Sequence, residues 1–348
     1  MDLTRRHLMT TALTLGAMHV FPGLGHTQAR RLVFSTFTGS WEEAHKDVLV
    51  PAFRKATDNA EITLDPLLSM DQIAKVKASP ANPPIDVMLH DPGPALVAID
   101  QGLVEPFPFA SSAHYKDLIA DAQGDMGPAP FFQVVGITYN PEKVKTPPTS
   151  WADIWKPEFK GRVGITNLNS TLGTGWLVEI ARSRGGSEAN VDAGFKALED
   201  LKPNLGAVAA NPGALATLYQ QGQVDIGPGN FNAIQILKAR GVPVEFVAPK
   251  EGAIAFRTTI HIVKNSPNKE LAAKLIEAAL SPEVQGKLME APYLIVPTNT
   301  KVKMGGEIAK VLAKDHDDMK KKFVFQDWKK INEQRAGWIE KFNRDIKI

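Results

Sequence analysis

Apolar residues along this chain fall into two rhythms: short continuous runs bounded by turn residues, and longer stretches spaced like one face of a helix. The first half reads β-α-β-α-β-α, with strands over 31–36, 61–67 and 85–89 and helices over 41–56, 70–78 and 95–101. In helix 41–56 the residues Ala44, Val48, Ala52 and Phe53 share a face, and Pro51 inside it predicts a kink. Gly102-Leu103-Val104-Glu105-Pro106 closes the third helix. Such alternation predicts a mostly parallel sheet covered on both faces.

A strand-like run, 131–140, ends at Pro141, and Ser150 is placed to cap a short helix holding Trp151, Ile154 and Trp155. A second series follows. It has strand 162–166, a polar loop over 167–171, helices 173–184 and 189–202, strand 205–209, helix 213–221, strand 224–227, helix 231–240 and strand 244–248. Strand 254–263 is long for a small sheet and well placed to cross back. Amphipathic helices over 269–279 and 282–291 come next. Charged helical material from 306 onward carries Phe323, Phe325, Trp328, Ile331, Trp338 and Phe342. Two strand passages between two α/β units predict a discontinuous first lobe (30–135 plus 256–305) and a continuous second lobe (136–255). Helices over 306–348 then pack on the lobes, and the layout is that of a hinge.

Composition narrows the chemistry. The 348 residues suit two domains, and 43% hydrophobic with 22% charged residues is ordinary for a globular chain. A formal charge of +2 offers no field for nucleic acid, which is not expected as a partner. There is no cysteine, so thiol catalysis, disulfides and cysteine metal sites are excluded. Thr4-Arg5-Arg6-His7-Leu8-Met9 is a twin-arginine pattern ahead of an apolar stretch over 8–24, and Thr27-Gln28-Ala29 fits a cleavage site. Residues 1–29 therefore read as an export signal, twin-arginine or an ordinary secretory one, removed near Ala29. No later apolar run approaches the roughly 20 residues of a membrane-spanning helix.

Candidate chemistry gathers at the βα turns. Thr38-Gly39-Ser40-Trp41 and His90-Asp91-Pro92-Gly93-Pro94 each put small polar residues at the mouth of a helix. Unpaired N–H groups and the helix dipole there favour anions and polar oxygens. In open α/β sheets, ligands sit beyond the carboxyl ends of the strands. Thr38, Gly39, Ser40 and Trp41 are candidate contacts, although Ser40 also suits an N-cap and Trp41 the core. Asp91 is equally a cap or a contact, with Gly93 beside it. In the second lobe, Asn167-Leu168-Asn169-Ser170-Thr171-Leu172-Gly173-Thr174-Gly175 offers Asn169, Ser170, Thr171, Gly173 and Thr174 to a carboxylate or phosphonate. Asn211-Pro212-Gly213 and Gly229-Asn230-Phe231 open two more helices toward the same place. Glu42 with His45, and Asp315-His316-Asp317-Asp318, read as solvated helix faces rather than metal sites. No metal or cofactor is expected.

Several motifs in this order resemble a known family. They are Gly39-Ser40-Trp41-Glu42-Glu43, Asp86-Val87 with Asp91-Pro92-Gly93-Pro94, Gly102–Pro106, the run from Thr149-Ser150-Trp151 to Phe159-Lys160-Gly161, and Pro249-Lys250-Glu251-Gly252. The chain is similar to the periplasmic solute-binding proteins of ABC importers, in the group with spermidine/putrescine- and ferric-iron-binding members. The resemblance implies a type II periplasmic-binding-protein fold, two α/β lobes joined by two hinge strands, working as a monomer in the periplasm. Such a protein closes on a small-molecule solute and docks on a membrane permease with its ATPase, without catalysis. Polyamine-binding members carry acidic residues where Asn167 and Thr171 stand, and an aromatic residue where Asn230 falls. The resemblance also turns Phe256 and Thr258 toward the ligand. Alternation would then point Arg257 away, yet its fork is an obvious carboxylate partner, and both readings stand. Iron binders use neighbouring tyrosines, and none of the four tyrosines here is adjacent to another. The expected ligand is a small polar organic solute, anionic or neutral. A polyamine is the alternative, and an enzyme on the same scaffold is the rival class.

Overall fold

The computed structural model describes residues 31–346; the expected export signal and its expected cleavage near Ala29 lie outside the described residues. Two half-sheets share one continuous path. In the first, β1 (Arg31–Ser35) is flanked in parallel by β2 (Glu61–Leu64) and β3 (Val87–His90). The two-residue β4 (Val104–Glu105) lies against the far end of β10, described below. The second half-sheet holds β5 (Phe131–Tyr139), β6 (Val163–Thr166), β7 (Leu205–Ala209), β8 (Ile226–Asn230) and β9 (Glu245–Val247), with β6 parallel to β7 and β8. The long β10 (Ala253–Val263) joins them: residues 254–258 pair antiparallel with β5, and residues 259–262 pair antiparallel with β3. The path is thus β2-β1-β3-β10-β5-β8-β6-β7, a three-stranded parallel run in each lobe with antiparallel crossing strands between them. Two short strands, β11 (Val296–Pro297) and β12 (Phe323–Val324), add to β5 and β10.

The helices arise where the pattern places them: those at Phe231, Lys269 and Pro282 start as expected, helices Pro92–Asp100 and Thr171–Arg182 start earlier, and helix Asp192–Leu201 starts later. The first helical stretch, residues 40–56, runs unbroken through a π turn, His45–Leu49, ahead of Pro51. Proline cannot donate to the carbonyl four residues back, and the Val50 N–H already reaches five residues back to His45. The expected kink is therefore a widened turn. It also buries His45, so the reading of Glu42 and His45 as a solvated face is corrected: the ring is fully enclosed, packed on Phe34 and Trp41, and bonded to the Thr36 hydroxyl at 2.6 Å. Ser150 caps Trp151–Trp155 as expected, in a full capping box with Asp153. Helix Thr171–Arg182 begins two residues earlier than its glycine suggested, because Ser170 accepts from the Gly173 N–H and so fixes the start.

The C-terminal helix, Trp328–Asp345, buries Trp328, Ile331, Trp338 and Phe342 in the core of the second lobe. Its other contacts reach the first lobe, where the Asn332 amide donates to the Gly93 carbonyl at 2.8 Å. Helices Gly306–Val311 and His316–Lys322 instead cover the first-lobe core through Ile308 and Met319.

Candidate functional site

Every parallel strand points its carboxyl end at one place. Beyond β1 come Phe37 to Trp41, beyond β3 comes Asp91, and beyond β6 come Asn169, Ser170 and Thr171. Ala210 and Asn211 follow β7, and Asn232 follows β8; together they line a cleft of about 860 Å³ between the lobes. This is the crevice that open α/β sheets reserve for ligands. Leu68, Met70, Val97, Ile236, Leu237 and Ile339 give it an apolar side.

The polar floor is a connected chain. Gln133, on the crossing strand β5, donates to Asp91 Oδ1 at 2.6 Å and to the Thr258 hydroxyl at 3.3 Å. Its own Oε1 accepts from the Asn230 amide at 3.4 Å. That leaves Asn230 Oδ1, on a residue 8% exposed, without a donor. Thr171 also bonds the Asp91 carboxyl; burial holds that carboxyl above its usual range, against the pull of Thr171, Gln133 and the nearby Arg335 charge.

Arg335 comes from the C-terminal helix. Its Nη2 donates to the Asn169 carbonyl at 2.8 Å and the Leu168 carbonyl at 3.3 Å, and its Nε donates to the Thr174 hydroxyl at 3.1 Å. Burial lowers the pKa of this guanidinium, opposed by Asp91, but no arginine loses its charge in a protein. Across the mouth of the cleft, Asn232 Nδ2 reaches the Ser40 hydroxyl at 3.5 Å, and Arg240 pairs with Glu43 at 3.0 Å.

The expected contacts divide into a group that lines the cleft and a group that supports it. Thr38, Gly39, Ser40, Trp41, Asp91, Asn169, Ser170, Thr171, Asn230 and Phe256 all line it. Gly39, not Ser40, occupies the N-cap position, with φ of 72° and no side-chain cap. Trp41 shows only 5% of its surface and packs on Phe37, His45 and Phe131, so its larger role is in the core. Asp91 holds the N-cap position of helix Pro92–Asp100 without capping it; the carboxylate turns to Gln133 and Thr171 instead.

Gly93, Gly173, Thr174 and Thr258 stand behind the wall. A Cβ at Gly173 would lie 2.2 Å from the Asn167 carbonyl oxygen, so only glycine allows that close approach. Thr174 donates to the Leu168 carbonyl and Thr258 is fully buried beside Gln133. Arg257 is corrected: it is exposed, bonds the Asp121 carbonyl at 3.1 Å and takes no part in the cleft, as alternation along β10 dictates. Asn167 accepts from the Asn169 N–H and closes its own turn. Gln133, Asn232, Asn332 and Arg335 were not legible as contacts. Gln133 reads as one polar residue inside an apolar strand, the only hint of the four.

Residues 82–334 match the family of bacterial extracellular solute-binding proteins, and the chain belongs to that family. The spermidine/putrescine-binding periplasmic protein of Escherichia coli is 33% identical over 144 residues, 41% of this chain and 40% of that protein. A putative 2-aminoethylphosphonate-binding periplasmic protein of Salmonella typhimurium is 29% identical over 161 residues, 44% of this chain and 47% of that protein. The match thus spans less than half the length of these curated relatives. A crystal structure of an ABC transporter from Clostridium perfringens, 28% identical, superposes with a TM-score of 0.72 over 91% of this chain and 100% of that one. The fold is the two-lobed one of periplasmic solute-binding proteins.

Proposed function

We propose that the protein is the solute-binding subunit of an ABC importer, which captures a small polar organic solute of neutral or negative net charge between its lobes and hands it to the permease and ATPase. Arg335 carries the ligand-class reading. A fixed guanidinium on the cleft wall repels a polycation; of the two acids that line the cleft, Asp91 already faces that guanidinium and Asp71 is exposed. A diamine buried there would share Asp91 with Arg335 and find no second buried acid for its other ammonium, which is costly. The relatives named for spermidine, putrescine and 2-aminoethylphosphonate support the transport role and leave room for several ligand chemistries.

Closure needs a hinge. β5 passes from β10 to β8 at Val135, and β10 passes from β5 to β3 between Thr258 and Thr259. These changes of partner support lobes of 30–135 plus 256–305 and 136–255, with 306–348 packed on both. The enzyme rival finds no pair to use: Ser170 caps its helix, Ser40 meets Asn232, and neither faces a histidine among the described residues. Export through the twin-arginine signal completes the reading. Replacing Arg5 and Arg6 by lysine should then leave the protein in the cytoplasm, seen by fractionation.

Thermal-shift screening with carboxylates, phosphonates and polyamines tests the ligand class, since stabilisation follows RT ln(1 + [L]/Kd). A response to acids or zwitterions, with X-ray scattering showing compaction, is expected. Stabilisation by polyamines alone would overturn it.

A further inference from the structure

The floor of the cleft places an acid and a guanidinium side by side without letting them close. Asp91 is bonded by Thr171 and Arg335 by Thr174, two residues on one face of the same helix. Positions i and i+3 lie one turn apart, about 5–6 Å between Cβ atoms. Asp91 and Arg335 nevertheless come no closer than the 4.0 Å of an ion pair, and both line the cleft. Beside Asp91, the carbonyl oxygen of Asn230 is more than nine-tenths buried and has no donor. A buried acceptor left unpaired is expensive, so it marks where a ligand N–H belongs.

Resting on the solute-binding reading above, we propose that this corner recognises an amino-acid-type head: a protonated amine held by Asp91 and Asn230 Oδ1, and a carboxylate on the same or the adjacent carbon held by Arg335. The two protein charges act on each other without pairing, which suits an amine and an acid borne close together on one solute. A long diamine finds no second buried acid, since Asp71, the other acid on the lining, is exposed. A simple anion satisfies Arg335 and leaves Asn230 unpaired. Arg335 spends Nε and Nη2 on Thr174, Leu168 and Asn169, and this fixes the plane of its fork while Nη1 remains for the ligand. The apolar side formed by Leu68, Met70, Val97, Ile236 and Leu237 takes the body of the solute, and the cleft is much larger than the head alone requires.

Titration calorimetry on the ligand-stripped protein decides the matter, using the standard free amino acids and β-amino acids, their N-acetyl derivatives, their amides, and putrescine. At least one free amino acid should bind, with both its N-acetyl and its amide forms weakened 100-fold or more. Asp91→Asn should weaken that amino acid at least 30-fold while leaving any residual binding of the N-acetyl form unchanged. Arg335→Lys keeps the charge and guards against a folding defect; it should weaken the free acid about 10-fold and leave its amide unaffected. N-acetyl or amide forms binding as well as the parent, or putrescine binding best, would overturn the head-group assignment. An inert panel would overturn it too. In that case, stabilisation of the protein by a small-molecule extract of cells would leave the solute-binding reading standing, and no response to the extract would end both.

Discussion

At the scale of single residues, the site is held by buried groups whose partners are few and specific. Gln133 is the clearest case, because one amide serves Asp91, Thr258 and Asn230 at once. Gln133→Leu should lower the urea midpoint with an unchanged slope, a loss of about 1–3 kcal/mol for stranding buried partners. Buried histidines set the acid limit. Burial lowers His261 from 6.5 to about 4 and His45 to about 3, so the fold holds both neutral. Their contribution is complete above pH 6.5, where both states are neutral, and is lost as pH falls toward the folded values and the unfolded rings take protons. Stability should therefore drop between pH 6.5 and 4, by roughly 3 kcal/mol for His261. Glu179 works in the opposite sense. Burial raises its carboxyl from 4.5 to about 7, so its share of stability is lost as pH rises through 7. Glu179→Gln should accordingly gain stability at pH 8 relative to pH 6, and His261→Asn should flatten the acid limb. Denaturation midpoints across pH check both.

At the scale of elements, the chain was most legible where strand and helix alternate. The crossing strand β10 shows why: eleven residues, nearly all buried, exceed what one half-sheet can pair, and the surplus length is itself the signature of a second sheet. The turns were legible in kind. Gly39 marks the first, with φ of 72° and ψ of −128°, a conformation reserved for glycine. Gly39→Ala should cost about 1–3 kcal/mol and loosen the start of the helix that follows, read as a lower melting temperature. Two helix starts came earlier than read, Pro92 for 95 and Thr171 for 173, because proline at the first turn and a serine cap compete with other start signals. The C-terminal helix was legible as packing and not as a wall of the site. Its aromatics announce the buried face, while Arg335 sits among charged residues with no local sign of a partner more than 160 positions earlier in the chain. Tertiary placement alone gives it meaning.

At the scale of the whole molecule, two crossing strands, the C-terminal helix and a few rim contacts tie the lobes together near the cleft. The rim contacts are Glu43 with Arg240 and Ser40 with Asn232, joining the first helical stretch to helix Phe231–Ala239. The ion pair is more than half exposed on both sides, so its worth is at most about 1 kcal/mol. That is small against folding but comparable to the difference between open and closed lobes, where 1.4 kcal/mol is tenfold in population. Arg240→Ala should shift the ligand-free protein toward open forms, raising the radius of gyration in X-ray scattering while leaving the melting temperature nearly unchanged. Ligand affinity should fall by a factor of about five and no more, because the closed state costs only the lost pair. The charge swap Glu43→Arg with Arg240→Glu should restore the wild-type profile. Salt near 1 M should mimic the single substitution in the native protein, since exposed charges are screened beyond about 3 Å there. Identical scattering for wild type and Arg240→Ala at low salt would show that the pair does not bias closure, and that the hinge strands and the C-terminal helix set the angle between the lobes.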